Sequence, residues 1–162
     1  MVKFISAAQA AELIPDGATV GVGGMGLSGW PEEVACAIRD RYLSCGHPRG
    51  LNLKQGCDLG DWVERGVSRF GEAGEGLISK WCCAHMGSAF AMHPLVTQNK
   101  IASHFLPQGV IINLWREIGA GRPGLLTKVG LGTFVDPRHG GGRVNAAAGD
   151  ELVELVNFRG EE

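Results

Sequence analysis

Short apolar runs of strand character alternate along this chain with segments of helical period, and a glycine or proline marks almost every exchange. This alternation is the strongest constraint on the fold. Strand–helix–strand crossovers join parallel strands, and a parallel sheet must have its faces covered by helices. Ser6 followed by Gln9 fits a capping box and predicts a short helix over residues 7–14, closed by the turn Pro15-Asp16-Gly17. Residues 18–23 read as a buried strand and residues 23–29 as a glycine-rich loop. Pro31 then opens a helix to about Ser44, with Val34, Ala37, Ile38 and Tyr42 on one face and Gly46 at its end. Further strands are predicted over 51–55, 77–82, 103–106 and 152–158, and further helices over 88–99 (despite Pro94) and 110–120. Residues 56–76 read as loop with one helical turn, anchored by Trp62-Val63 and Val67–Phe70, and residues 119–142 as an extended glycine-rich loop. The prediction is a single α/β domain: a mostly parallel sheet with helices on its faces.

Composition narrows the function classes. Glycine supplies 26 of 162 residues, about twice the usual share, without a collagen period. In a folded chain such an excess marks positions where the backbone turns sharply or something approaches it closely. A net charge of −2 with no basic run argues against nucleic acid, which needs clustered cations. No apolar stretch reaches the length of a membrane span, and the N-terminus reads as a helix start rather than a signal peptide. Five cysteines, an odd number without a C-x-x-C, read as reduced thiols of a cytoplasmic protein. Adjacent Cys82 and Cys83 would face opposite sides of a strand, which suits neither a shared metal nor a disulfide. His85 stands too close to Cys83 for an ordinary zinc pair, so no metal site is expected.

Gly21-Val22-Gly23-Gly24-Met25-Gly26 matches the dinucleotide fingerprint G-x-G-x-x-G, with Asp40 downstream. In that motif the third glycine already lies inside the helix, whereas here Pro31 keeps the helix start several residues beyond Gly26. A dinucleotide-binding oxidoreductase is therefore the weakest reading. A P-loop is unsupported, and Ser28 lacks the setting of a serine nucleophile.

The wider segment carries more. Residues 16–31, DGATVGVGGMGLSGWP, resemble the N-terminal signature of the family I CoA-transferases: D-G, two residues, three mostly apolar ones, G-G-F, three residues, G, one residue, P. Met25 stands where the family usually has Phe, and Gly21 where it has an apolar residue. Gly46-His47-Pro48-Arg49-Gly50-Leu51, Leu106-Pro107-Gln108-Gly109-Val110 and the long run 120–138, AGRPGLLTKVGLGTFVDPR, extend the resemblance to the acetate/3-oxoacid (propionate-type) enzymes. Little family character is visible in residues 57–76.

The resemblance implies a CoA-transferase-like α-type domain and a ping-pong exchange of CoA between short-chain acids such as acetate, propionate, butyrate or a 3-oxoacid, the chemistry of short-chain fatty acid and ketone body metabolism. In such a reaction a glutamate attacks the acyl-CoA thioester. The resulting anhydride becomes a glutamyl-CoA thioester, and each tetrahedral intermediate needs an oxyanion donor. The resemblance assigns that donor to the Gln108 amide, and the acyl site to Gly23, Gly24, Met25, Gly26 and Gly109. CoA is a substrate, with no permanently bound cofactor. No glutamate here stands in the family's S-E-N-G setting. The nucleophile is therefore expected on a β-type partner half, with this chain as the α-type half of an oligomer. The competing expectation is a non-catalytic remnant or binding module of the same fold.

Overall fold

A computed structural model describes residues 2–57 and 59–160; the acidic pair Glu161 and Glu162 lies outside them. Four parallel strands, β1 (Thr19–Val22), β2 (Leu51–Gln55), β3 (Ile78–Cys83) and β4 (Ala102–Phe105), form one sheet in the order β1-β2-β3-β4. Helices α1 (Ala7–Glu12), α2 (Glu32–Cys45), α3 (Ser68–Glu72) and α4 (His93–Thr97) belong to the crossover side, and α5 (Gln108–Gly119) follows β4. The predicted architecture is the observed one.

Strand alternation divides the interior. Leu51, Leu53, Trp81 and Cys83 join Ala35, Ile38, Phe70 and Met92 in the main core. Cys82, Leu106, Ile111 and Val135 form a smaller core on the other side, with Trp115 of α5 and Val153 packed against it. The neighbours Cys82 and Cys83 thus enter different cores, as expected of consecutive strand residues. All five cysteines are free thiols.

Local chemistry explains the element ends. Ser6 Oγ accepts the Gln9 N–H while Gln9 Oε1 accepts the Ser6 N–H, a complete capping box for α1. Pro31 is the N-cap of α2, and Gly46 closes it at φ +76°, a conformation that costs glycine little.

Two predicted elements are corrected. The helix expected over 88–99 is broken into a 3₁₀ turn, Phe90–Met92, and α4, because Pro94 lacks an N–H and fits only a first turn. Residues 152–158 form no strand. The outer edge of β4 is already taken by the chain at Gly142–Val144, where Phe105 N–H donates to Gly142 O at 2.8 Å and Val144 N–H to Ser103 O at 2.9 Å. Leu152, Leu155, Val156 and Phe158 are left substantially exposed, and Val153 alone of the segment's apolar residues packs against the smaller core. The loop 119–142 also contains a short 3₁₀ turn, Pro137–His139.

Helix α3 approaches the Phe90–Met92 turn through Gly71, where an added Cβ would stand 2.4 Å from the Ala91 carbonyl carbon. The Gly71→Ala variant is expected to lose about 1–3 kcal/mol of stability from this overpacking. Thermal unfolding followed by circular dichroism checks it.

Candidate functional site

The loops that leave the carboxyl ends of the strands meet on one rim, the usual place for a ligand in a parallel sheet. Gly23 and Gly24 follow β1, Gly56 follows β2, and Pro107-Gln108-Gly109 follows β4. Helix α5 ties them together. A Cβ added at Gly56 would lie 2.5 Å from Ile112 Cδ1 and 3.7 Å from Trp115 Cη2, and one at Gly23 would lie 3.8 Å from Trp115 Cζ3. One helix face therefore rests on the backbone beyond two strands, with Trp115 at ordinary contact distance from Gly23 and the tip of Ile112 filling the space above Gly56. The same helix carries Gln108 and Gly109 in its first turn, both exposed.

The glycine loop is a shaped turn rather than a flexible tether. Met25 N–H donates to Ser28 O and Ser28 N–H to Met25 O, each at 3.0 Å. Gly24 sits at φ +125°, and a Cβ there would stand 2.3 Å from Ser28 O. Only glycine fits. The N–H of Met25, one of the residues assigned to the acyl site, is spent inside this turn and is not free for a carboxylate or oxyanion. Among the described residues the N–H groups of Gly24 and Gly26, and those of Gln108 and Gly109, donate no hydrogen bond. Those are the donors the rim can offer an anion, and the Gln108 pair lies at the N-terminus of α5, where the helix dipole favours negative charge. Met25 itself is 67% exposed.

Behind the loop, between β1 and α2, lies an apolar cavity of 230 Å³ lined by Val20, Val22, Trp30, Val34 and Phe70 among others. The buried Trp30 Nε1–H has no partner among the described residues. The same holds for Nε2 of fully buried Gln55, whose Oε1 accepts the Trp81 indole N–H.

The glutamate nearest the rim in sequence is committed to structure. Glu32, the first residue of α2, accepts the Gly66 N–H at 3.0 Å and the Arg69 Nε–H at 2.8 Å. Burial alone would raise its pKa, but these two donors outweigh burial and hold the carboxyl below its ordinary range. Arg122 is paired with Glu117 at 2.6 Å. Ser28 contributes its backbone to the turn. Trp62 and Val63, expected as anchors, are exposed at 62% and 70%, while Val67 and Phe70 are buried. Among the described residues no three His, Cys, Asp or Glu side chains form a group able to hold a metal, and no helix is long and apolar enough to cross a membrane.

Beyond the rim, the loop 119–142 is organised by Asp136, which is 1% exposed. Its carboxylate accepts the Gly132 N–H at 2.8 Å, the Arg138 N–H at 2.9 Å and the Arg138 guanidinium at 2.7 Å. Sequence reading missed this role, although D-P-R is visible: Pro137 starts a turn, and the carboxylate before it caps the turn.

An exposed glycine turn and a helix N-terminus thus lie together at the carboxyl ends of the parallel sheet of an α/β protein. Comparison with known proteins gives that class a family. Residues 4–162 match the family described as coenzyme A transferase, and the chain belongs to it. It is 64% identical over 162 residues to caffeate CoA-transferase from Acetobacterium woodii, covering 100% of this chain and 30% of that protein. It is 37% identical over 163 residues to the acetate CoA-transferase YdiF of Escherichia coli strain K12, covering 99% of this chain and 30% of YdiF. The crystal structure of E. coli O157:H7 YdiF as a thioester complex with CoA superposes with a TM-score of 0.88 and 36% identity, over 96% of this chain and 30% of that one. The chain thus spans about 30% of the length of these relatives.

The Asp136 carboxyl is held well below the usual carboxylate range, chiefly by the Arg138 guanidinium and then by the backbone N–H groups of Gly132 and Arg138. A carboxyl whose folded pKa lies below its unfolded value stabilises fully at neutral pH and loses that contribution as pH falls below about 4. Amide exchange at Gly132 and Arg138, corrected for intrinsic rates, is therefore expected to change little between about pH 6 and pH 4 and to accelerate as the pH falls from about 4 towards 2. Asp136→Asn should remove that pH dependence.

Proposed function

We propose that this chain is the α-type half of a CoA-transferase, and that it receives the acyl group while a β-type half supplies the nucleophilic glutamate. The observation that carries the reading is the seat of α5 on Gly23 and Gly56, which holds Gln108 and Gly109 on the same rim as the turn Gly23, Gly24, Met25 and Gly26.

In this reading a glutamate of the partner half attacks the thioester carbonyl of an acyl-CoA. The thioester oxygen becomes an oxyanion in the tetrahedral intermediate, and the Gln108 amide N–H donates to it. The backbone N–H groups of Gly24 and Gly26 face the acyl side. CoA thiolate leaves, an acyl-glutamyl anhydride remains, and the thiolate attacks the glutamyl carbonyl to release the acid and give a glutamyl-CoA thioester. An acceptor acid reverses the steps. Fixed donors contribute here because they need no reorganisation when charge develops. The lock on Glu32 supports placing the nucleophile outside this chain. CoA is then a substrate, and the working unit is an oligomer.

For the acids exchanged, short-chain acids such as acetate, propionate, butyrate or a 3-oxoacid fit the resemblance and the 37% relative named for acetate. A second reading, with an aromatic acrylate as one acid, is favoured by the higher identity, 64%, to a relative named for caffeate. Exposed Met25, a soft and adaptable side chain, accommodates either.

The chain alone is expected to show no CoA exchange between acetate and propionyl-CoA, and a β-type half is expected to restore it. In the restored enzyme Gln108→Ala should lower kcat by roughly 100-fold, the usual loss of one oxyanion donor. Exchange by the isolated chain, with an acyl adduct on one of its own glutamates, would overturn the division of labour.

A further inference from the structure

The loop joining β2 to α3 holds a contradiction that the CoA-transfer chemistry above does not absorb. Trp62 adopts φ +63°, in the left-handed region that bulky side chains avoid. A strained aromatic residue ordinarily gains burial in return, yet this one is 62% exposed. Residues 59–67 around it are nonetheless firmly built. Asp61 Oδ1 accepts the N–H groups of Val63 and Arg65 at 3.0 Å each, and Trp62 N–H donates to Ser88 O at 3.3 Å. At its base Val67 N–H donates to Leu59 O at 2.7 Å, and Glu32 with Arg69 fixes Gly66. Gly66 is so tightly enclosed that an added Cβ would stand 2.1 Å from Leu59 O. The indole is thus presented in a strained conformation by a rigid support.

Its position matters as much as its strain. The loop leaves the carboxyl end of β2, and Trp62 is bonded to Ser88 in the segment after β3, so it stands on the rim side of the sheet. Leu59, three residues earlier, packs beneath the glycine turn, with its Cδ2 at 3.2 Å from where a Cβ on Gly24 would lie. Exposed Met25 follows Gly24 directly. Strain retained on a preorganised loop beside a binding site is the pattern expected of a ligand contact. A flat indole on the loop whose Leu59 meets the glycine turn, and a soft thioether in that turn, suit a planar π system.

The geometry points to Trp62 as a specificity residue that stacks on the ring of an aryl-substituted carboxylic acid whose carboxylate lies at the glycine turn. This inference rests on the CoA-transfer reading for the identity of the site, takes up its aromatic-acid alternative, and adds the residue that selects that acid.

The test is made on the chain itself, by saturation-transfer NMR and isothermal titration with cinnamate, propionate and CoA as probes. Trp62→Ala is expected to raise the cinnamate Kd on the order of fivefold and to abolish transfer to the ring protons, with propionate and CoA unchanged. Trp62→Phe should retain most of the cinnamate binding. Trp62→Gly should lose that binding while raising Tm by about 2–4 °C, because glycine relieves the left-handed strain. A purely structural tryptophan predicts the opposite sign in Tm. Unchanged cinnamate binding in Trp62→Ala, equal weakening of propionate, or weakening of CoA in its place (the indole then meeting the adenine ring) would each overturn the inference. Failure of CoA exchange in the completed enzyme, with ring binding still dependent on Trp62, would instead count against the transfer reading alone.

Discussion

Everything on the rim depends on a contact in which the backbone has no side chain to offer. Ile112 and Trp115 lie against Gly56 and Gly23, so α5 settles over the ends of β1 and β2, and a Cβ at Gly56 would have to turn the tip of Ile112 aside. This seat brings the first turn of α5 beside the glycine turn, although more than 80 residues separate Gly24 from Gln108. The packing is apolar and continues into the smaller core through Ile111, Leu106 and Cys82, so the helix is held by burial rather than by polar contacts. Gln108 and Gly109 at the start of the helix stay exposed, while Ile111 in the same first turns is buried and anchors them.

Around that seat, charged groups serve as scaffolding. Glu32 links the start of α2 to Gly66 and Arg69, and Arg69 also meets Glu72 at 3.1 Å. Asp136 does the same for the loop 119–142, gathering Gly132 and Arg138. Hydrogen bonds to a charged carboxylate are the stronger kind, and each cluster fixes a loop that lacks regular secondary structure. The loops beside the site are therefore preorganised, and strain can be kept at a single position such as Trp62 without the loop relaxing.

Local signals were legible in the sequence where the responsible atoms lie within a few residues. The Ser6–Gln9 capping box, the Pro31 start and the Gly46 stop of α2 all work over such distances, and each was readable. Prolines and strand edges were harder. Pro94 divides what apolar spacing presents as one helix, and residues 152–158 have strand composition but no free edge at β4, which Gly142–Val144 already covers. The family's glycine turn and Gln108 were legible through their motifs. That the Met25 N–H is consumed by Ser28 was not, since a motif specifies residue types and not which donor a turn uses. The exposure of Trp62 was hidden for a similar reason: an apolar residue in a loop reads as an anchor until the backbone shows it turned outward. The contact of Trp115 with Gly23 and Gly56 needed three-dimensional structure, because it joins positions with no local relationship.

The central claim is that the glycine turn and the start of α5 form one carboxylate-binding rim. It is tested most directly by titrating the ¹⁵N-labelled chain with propionate and following backbone amide shifts. Concerted movement of the Gly24, Gly26, Gln108 and Gly109 resonances along one saturation curve is the expected result. Movement of one loop without the other, or shifts confined to surfaces away from the strand ends, would contradict it.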